Sequence, residues 1–201
     1  MEILILATFI VVGASILKSV DQRRRIALLG SHLGHYQIEK LMENLTEGYL
    51  RCLGEDDVER RAQIWALLDS TEQKLSAQFD SFAAEFASID ASETRVSKLP
   101  LAIPYAHQFF PALTFDLRKA FAIHARGIAD VMRNEAHRSS KAKAFTMSAE
   151  LFLMQHTCHW YCKSKTVASA RMLARHKTSY QQLIDSVSPG TRKAYLALVG
   201  Q

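Results

Sequence analysis

The sequence contains few residues that break helices or cross-link small folds. Of its 201 residues, 8 are glycine, 4 are proline and 3 are cysteine. Scarce glycine and proline argue against a turn-rich β protein, and a hydrophobic share of 48% argues against disorder. An odd number of cysteines does not indicate a disulfide framework, so free thiols in a reducing compartment are expected. The composition predicts a globular, helical protein.

Local signatures of catalysis are also missing. The chain has no glycine-rich phosphate loop, no Gly-x-Ser-x-Gly motif and no His-Glu-x-x-His pair. This lowers the expectation of an enzyme without excluding one, because distant residues can form an active site that leaves no local motif. We therefore predict no catalytic residue, and zinc is the one cofactor that the sequence leaves open.

The most apolar stretch of the chain lies at its start. Residues 3–17 carry no charge, and Lys18, Asp21 and the triplet Arg23-Arg24-Arg25 follow directly. At about 1.5 Å per residue, seventeen helical residues cover roughly 25 Å, which is at the short end for a membrane span. We expect residues 1–28 to form a membrane anchor with a basic stop-transfer flank. Residues 29–201 are expected to form one helical bundle domain.

Two alternatives stay open for this segment. A cleaved signal peptide normally begins with positive charge, whereas this chain begins with Glu2 and offers only a weak cleavage-like motif, Val12-x-Ala14. A helix buried in a soluble core is the other alternative. The cationic excess after the segment predicts a cytoplasmic C-terminal side. We accordingly expect residues 1–25 to bind membrane lipid, in a single-pass protein of the bacterial inner membrane.

Apolar residues recur at helical spacing in two later segments, which predicts two helices that pack on each other. The first seam has spacings of 4, 7, 4, 3, 4 and 3, and consists of Ile64, Leu68, Leu75, Phe79, Phe82, Phe86 and Ile89. The second seam has spacings of 4, 3, 4 and 3, and consists of Leu117, Phe121, His124, Ile128 and Val131.

The rest of the chain is also predicted to be helical. One helix is predicted at residues 26–53, and the next is predicted to begin at the acidic residues Glu55-Asp56-Asp57. A connector is predicted at residues 90–104. Residues 139–187 contain no proline or glycine, which predicts one very long helix or two joined near Lys163-Ser164-Lys165. A short helix is expected at residues 191–199. No segment has the alternation of a strand, so the predicted fold is all-α, with an antiparallel bundle of long helices after the anchor helix.

Charge is distributed unevenly between the two halves of the chain. Residues 1–100 hold 11 Lys and Arg against 15 Asp and Glu, whereas residues 101–201 hold 14 against 5. Acidic and basic helices that pack together would explain this, as would an anionic partner such as lipid headgroups. No nucleic-acid-binding module is recognisable, so nucleic acid ranks last among the partners considered. The basic positions are Arg133, Arg138, Lys141, Lys143, Lys163, Lys165, Arg171, Arg175 and Lys177.

The densest chemical cluster is the segment from His156 to Cys162. On a helix, Cys158, His159 and Cys162 share about a third of the circumference, with His156 at its edge. Thiolate and imidazole ligands suit zinc, so the four residues are a candidate metal site that needs a ligand from a neighbouring helix. Core packing is the alternative, because free cysteine is among the most buried residue types.

Two further histidine patterns are chemically suggestive. His32, His35, Glu39 and Glu43 would share one stripe of a continuous helix, as a metal half-site or a solvated surface. His124 interrupts an apolar seam, where a hydrogen-bonded core histidine is the usual finding and a pH-sensitive switch the alternative.

The sequence thus favours a membrane-anchored helical scaffold or accessory protein, acting through an unknown protein partner or as a homo-oligomer. One alternative is a metal- or redox-responsive sensor or enzyme that uses His156, Cys158, His159 and Cys162. Another is an anionic lipid or nucleic-acid binder that uses the basic C-terminal half.

Overall fold

Helices account for most of this computed structural model, which describes residues 1–100 and 105–200. Within these residues, one 3-10 turn covers Pro111–Leu113. In chain order the helices are α1 (Glu2–Leu33), α2 (Ile38–Leu53), α3 (Val58–Phe86), α4 (Ala106–Phe109), α5 (Leu117–Arg133), α6 (Ser140–Cys162), α7 (Lys165–His176), α8 (Tyr180–Ser186) and α9 (Pro189–Val199). The predicted all-α bundle with an apolar N-terminal helix is confirmed.

The first half of α1 projects away from the bundle. Apolar side chains on every side of it are exposed, from Ile3 at 85% to Val20 at 53%. Residues 5–33 of α1 are long and apolar enough to cross a membrane, and no part of their most apolar stretch is buried. The alternative of a buried core helix therefore does not fit the described structure.

The two predicted seams meet in the centre of the bundle. The ring of Phe121 in α5 lies 5.1 Å from that of Phe82 and 5.0 Å from that of Phe86, measured between centroids. Phe79 adds an edge-to-face contact at 6.1 Å. Since burying one such side chain contributes about 1.5–3 kcal/mol, this aromatic cluster is a main source of stability. The predicted packing of α3 on α5 is confirmed.

Helices α5 and α6 run antiparallel. Along α5 and α6, His124 contacts Thr157 and Gly127 approaches Glu150, so residue numbers rise on one helix as they fall on the other. Helix α6 also contacts α1, α2, α7 and α8, and so occupies the middle of the bundle.

Acidic and basic helices do pair inside the bundle. Lys143 of α6 lies 2.5 Å from the buried carboxylate of Glu72 in α3 and 3.0 Å from Asp69. Tyr49 of α2 donates to the other oxygen of Glu72 at 2.5 Å. This network joins three helices, in agreement with the expectation that the halves partly neutralise each other.

The acidic start of α3 behaves as the sequence predicts. Asp57 is the N-cap residue, and its side chain accepts a hydrogen bond from the backbone amide of Arg60 at 3.0 Å. A carboxylate at this position satisfies a free amide and favours the positive end of the helix dipole.

The expectation that the chain has no strand was wrong. Two strands of three residues, β1 (Arg95–Ser97) and β2 (Thr114–Asp116), pair antiparallel with Val96 opposite Phe115. Three residues are too few to reveal alternation in a sequence. The pair closes the connector between α3 and α5, and residues 101–104 of that connector lie outside the described residues.

Residues 139–187 form three helices, which is neither of the predicted arrangements. The first break lies at the predicted place, where Ser164 caps the start of α7 by accepting from the amide of Val167. The second follows α7, where Lys177 adopts a left-handed conformation (φ 52°) and Ser179 begins α8 with a capping box. A capping serine can start a helix where no glycine or proline marks a break.

Candidate interaction groove

The four residues of the predicted zinc site occupy different surroundings on α6. His156 is fully buried, and its Nε2 atom lies 3.0 Å from the hydroxyl of Ser169 on α7. The Nδ1 atom of His159 lies 3.2 Å from an Arg171 guanidinium nitrogen. Cys158 and Cys162 instead border a cavity of about 210 Å³ between α6, α1 and α2, with His159 and Glu39 also on its wall. The fold separates His156 from the other three.

The thiols are in an apolar setting that keeps them protonated. Burial raises the pKa of Cys162 to about 11, and it raises that of Cys158 further. A protonated thiol is a weak nucleophile and must lose its proton to bind a metal. Within residues 1–100 and 105–200, no group of three or more His, Cys, Asp or Glu side chains is placed to hold a metal ion. Zinc at this cluster stays a prediction.

The predicted stripe of His32, His35, Glu39 and Glu43 does not exist, because the helix breaks inside it. Helix α1 ends at Leu33 and α2 begins at Ile38, so the two histidines and the two glutamates lie on different helices. Both histidines face Glu85 of α3, at 4.0 Å from His32 and 3.5 Å from His35. The turn between α1 and α2 is therefore held to α3 by polar contacts.

His124 is a hydrogen-bonded core residue, as the sequence favours. It is fully buried, and its Nε2 atom lies 3.0 Å from the Oγ1 atom of Thr157, which in turn lies 2.8 Å from the hydroxyl of Tyr195. Burial lowers the pKa of His124 to about 3, so the ring is neutral at neutral pH.

A second buried polar group, Glu150, lies about two helical turns from Thr157 on α6. One carboxylate oxygen accepts from the amide and hydroxyl of Ser188, at 2.9 and 2.7 Å. Burial raises the pKa of this carboxyl group above its usual value. These enclosed contacts hold α5, α6 and α9 together.

The basic residues of the C-terminal half divide into two groups. One group is engaged within the fold: Lys143 pairs with α3, Lys163 donates to Gln22 of α1 at 3.0 Å, and Lys165 lies over the ring of Tyr180 at 4.6 Å. The other group is exposed and includes Lys141, Arg175 and Lys177. Lys141, Arg175 and Lys177 border one cavity.

We name this cavity the basic-rimmed groove. Its volume is about 460 Å³, and it lies between the C-terminal half of α2, residues 141–152 of α6 and the turn from α7 to α8. Exposed apolar side chains border it, with Leu50 72%, Phe145 65% and Leu53 51% accessible. Isolated exposed leucines are ordinary, but three large apolar side chains around one cavity are typical of a binding surface.

The rim of the groove is positively charged. Lys141, Arg175 and Lys177 lie on it, and none of the described residues that line it carries a carboxylate. His176 is neutral, because burial and the neighbouring Arg175 lower its pKa, and its ring stacks on Phe152 at 4.0 Å. The groove therefore combines an apolar interior with a cationic edge.

Sequence reasoning did not find the groove. Leu50 and Phe145 lie outside the two regular seams, and the basic rim comes from helices far apart in the chain. One sequence feature could have indicated it. Phe145 belongs to neither seam and lies among Lys141, Lys143 and small polar residues, which is the pattern of an exposed aromatic side chain.

Compared with protein-family models, curated proteins and solved structures, the chain shows no match.

Proposed function

We propose that the protein is a membrane-anchored interaction protein that binds a partner through the basic-rimmed groove. Residues 1–25 would hold it in the lipid bilayer as a single span. The charge excess after the span favours a cytoplasmic position for the bundle, in a bacterial inner membrane. The observation that carries the proposal is the groove itself, with three exposed apolar side chains inside a cationic rim.

The chemistry of the groove favours one kind of partner. An apolar interior accepts the nonpolar side of a helix or an extended segment, and a cationic rim favours carboxylates around that side. The volume of about 460 Å³ is within the range of ordinary binding pockets and suits two or three apolar side chains. The proposed partner is therefore an acidic amphipathic segment, from another protein or from a second copy of this chain.

A photo-crosslinking experiment in native membranes tests this proposal. The full chain would carry benzoylphenylalanine at Phe145 in one variant and at Leu67 of α3 in the other. The two positions are matched, since they are 65% and 69% exposed. We expect a discrete adduct at position 145 that is absent at position 67, and its mass would distinguish a different protein from a second copy.

Charge reversal tests the role of the rim. Lys141→Glu combined with Lys177→Glu should abolish most of the adduct at position 145, while Lys193→Glu on α9 should not. A monomeric protein without an adduct at position 145, or with equal adducts at both positions, would contradict the proposal.

A further inference from the structure

We propose that residues 105–113, the part of the connector that leads into β2, are a second membrane contact, in which Phe109, Phe110 and Leu113 insert into the lipid interface beside α1. This inference rests on the proposed function only in that α1 spans the bilayer. It adds a contact that fixes one face of the bundle against the membrane surface.

The first observation is the position of the connector. Tyr105 and Gln108 line a cavity of about 210 Å³ together with Asp21 and Arg25 of α1. Arg25 also donates to the backbone oxygen of Arg95 in β1 at 2.9 Å. The connector therefore lies beside the point where α1 changes from a free apolar helix to a packed one.

The second observation is the depth of the connector relative to the bilayer. Residues 3–17 carry no charge, and Lys18 is the one charged residue between Ile3 and Val20, where its long side chain can reach the headgroups. These eighteen helical residues cover about 27 Å, close to the roughly 30 Å hydrocarbon thickness of a bilayer. The bilayer surface would then lie near Asp21. The headgroup region extends about 5–8 Å beyond the hydrocarbon on each side, which four more helical residues cover. Residues beside Asp21 and Arg25 are thus at interfacial depth.

The third observation is the chemistry of the exposed side chains. Phe109 is 69% exposed, Phe110 48% and Leu113 44%, so these side chains form an apolar surface without cover in the described structure. Arg24, which pairs with Glu93, lines the same cavity as Tyr105 and Gln108, and the backbone amide of Lys98 donates to the backbone oxygen of Leu113 at 2.8 Å. Aromatic side chains accompanied by Lys and Arg are the usual composition of a protein surface at the membrane interface.

These observations select lipid over a protein as the occupant of the surface. The connector borders Asp21 and Arg25, where the exposed apolar part of α1 ends, so lipid headgroups around the end of the span would reach the connector as well. The basic-rimmed groove is at the other end of α6 and is not continuous with the span, which is why the two surfaces have different proposed ligands.

Fluorescence quenching by lipid tests the inference on the full chain. Phe109→Trp and Phe110→Trp variants would be reconstituted in nanodiscs of zwitterionic and anionic phospholipid brominated near the headgroup. Phe145→Trp is the matched control, because Phe145 is 65% exposed and borders the groove. The wild-type protein supplies the background of Trp65 and Trp160, and circular dichroism checks that each variant is folded.

We expect the added tryptophan at position 109 or 110 to lose most of its emission in brominated nanodiscs, while the control keeps its emission. Equal quenching at all three positions, or none, would overturn the inference. Protection from aqueous acrylamide without quenching by lipid would also overturn it, by assigning the surface to a second copy or another protein.

Extraction with alkaline carbonate separates this result from a failure of the anchor. A protein that resists extraction but shows no quenching at positions 109 and 110 would refute the connector contact alone. A protein that is extracted would refute the anchoring, and the connector contact with it.

Discussion

Two histidines in the bundle are buried in a neutral state. Burial lowers the pKa of His124 to about 3, and burial together with the nearby Lys165 lowers that of His156 to about 3. In the unfolded chain a histidine titrates at about pH 6.5. The unfolded state therefore binds protons that the folded state does not bind, at any pH between these values.

The free energy of unfolding should consequently fall as pH decreases from about 6.5 toward 3, by at most about 1.4 kcal/mol per pH unit for each histidine. Urea titrations at about pH 7 and pH 5.5 measure the change. His124→Asn should reduce it, while the exposed control His137→Asn should not. If the free energy of unfolding falls equally in both variants between pH 7 and pH 5.5, His124 is not responsible for the pH dependence.

Glu150 acts in the opposite direction. Its pKa is raised in the folded state, so the folded protein keeps a proton that the unfolded chain has released. Its contribution is lost as pH rises above the unfolded value of about 4.5. Glu150 therefore opposes the loss of stability that the histidines cause on acidification, so comparison of the wild type with His124→Asn, rather than the net change alone, isolates the histidine contribution.

The cysteines of the predicted zinc site provide a second test at the level of residues. The core-packing alternative, in which burial keeps Cys158 and Cys162 protonated, predicts that the purified full chain and its Cys158→Ser, Cys162→Ser form contain equal amounts of metal. Elemental analysis after purification without chelator or affinity metal measures this. Stoichiometric zinc that is lost in the double variant would instead establish the metal site and promote the sensor or enzyme hypothesis.

Two glycines show how differently the helices use the same residue. A Cβ atom added to Gly127 of α5 would lie 2.2 Å from the Thr191 hydroxyl oxygen and 2.6 Å from a Glu150 carboxylate oxygen, whereas one added to Gly30 of α1 would meet nothing within 4 Å. Gly127 thus permits α5 to approach the Glu150 contacts closely.

We expect Gly127→Ala to destabilise the protein by about 1–3 kcal/mol through steric overlap, despite the better helix propensity of alanine. Gly30→Ala should instead stabilise it by up to about 1 kcal/mol, since only propensity changes. Chemical denaturation of both variants beside the wild type provides the comparison. A stabilised Gly127→Ala protein would contradict the packing at this site.

Long helices with regular apolar spacing can be predicted from this sequence, whereas the turns between helices cannot. Leu117, Phe121 and Ile128 repeat at helical spacing, so the sequence alone predicted α5 and its contact with α3. The turn between Leu33 and Ile38 was missed although Gly34 stands at the end of α1, because apolar residues continue at helical spacing on both sides of that glycine. Contacts of His32 and His35 with Glu85 of α3 hold this turn in the fold. The break between α7 and α8 was also missed, since a capping serine starts α8 where no glycine or proline marks a break.

The groove shows the same limit for function. Its apolar side chains come from α2 and α6, and its cations from α6 and the α7–α8 turn, so no local motif includes them. Sequence periodicity identifies faces that are buried. It does not identify which apolar residues remain exposed together, because that depends on which helices become neighbours.

At the scale of the whole molecule, the anchor should be separable from the fold. The side chains of Phe9 and Val12 are 71% and 49% exposed and touch no part of the bundle core. A charged residue in the middle of a span costs about 2.5–3.5 kcal/mol in the bilayer. We expect Phe9→Arg combined with Val12→Asp to release the protein in alkaline carbonate, with unchanged thermal unfolding of the bundle.

A conservative pair provides the control for this variant. Phe9→Leu with Val12→Ile preserves apolar character and should remain in the membrane. Loss of bundle stability in the charged variant would mean that the segment belongs to the core instead. Proteolysis of sealed vesicles of known orientation would also establish on which side of the membrane the bundle lies.

Helix α1 passes without interruption from the exposed apolar segment into the bundle, where Arg25 fixes it to β1. In the proposed membrane arrangement no flexible joint separates the bilayer from the bundle, so the helical phase of α1 sets the direction in which the groove faces within the plane of the bilayer. One residue inserted after Val20 would turn the bundle by about 100° relative to the span and lift it by about 1.5 Å. A protein that binds no membrane-embedded partner would tolerate that rotation. A partner that contacts both the span and the groove could no longer bind both at once.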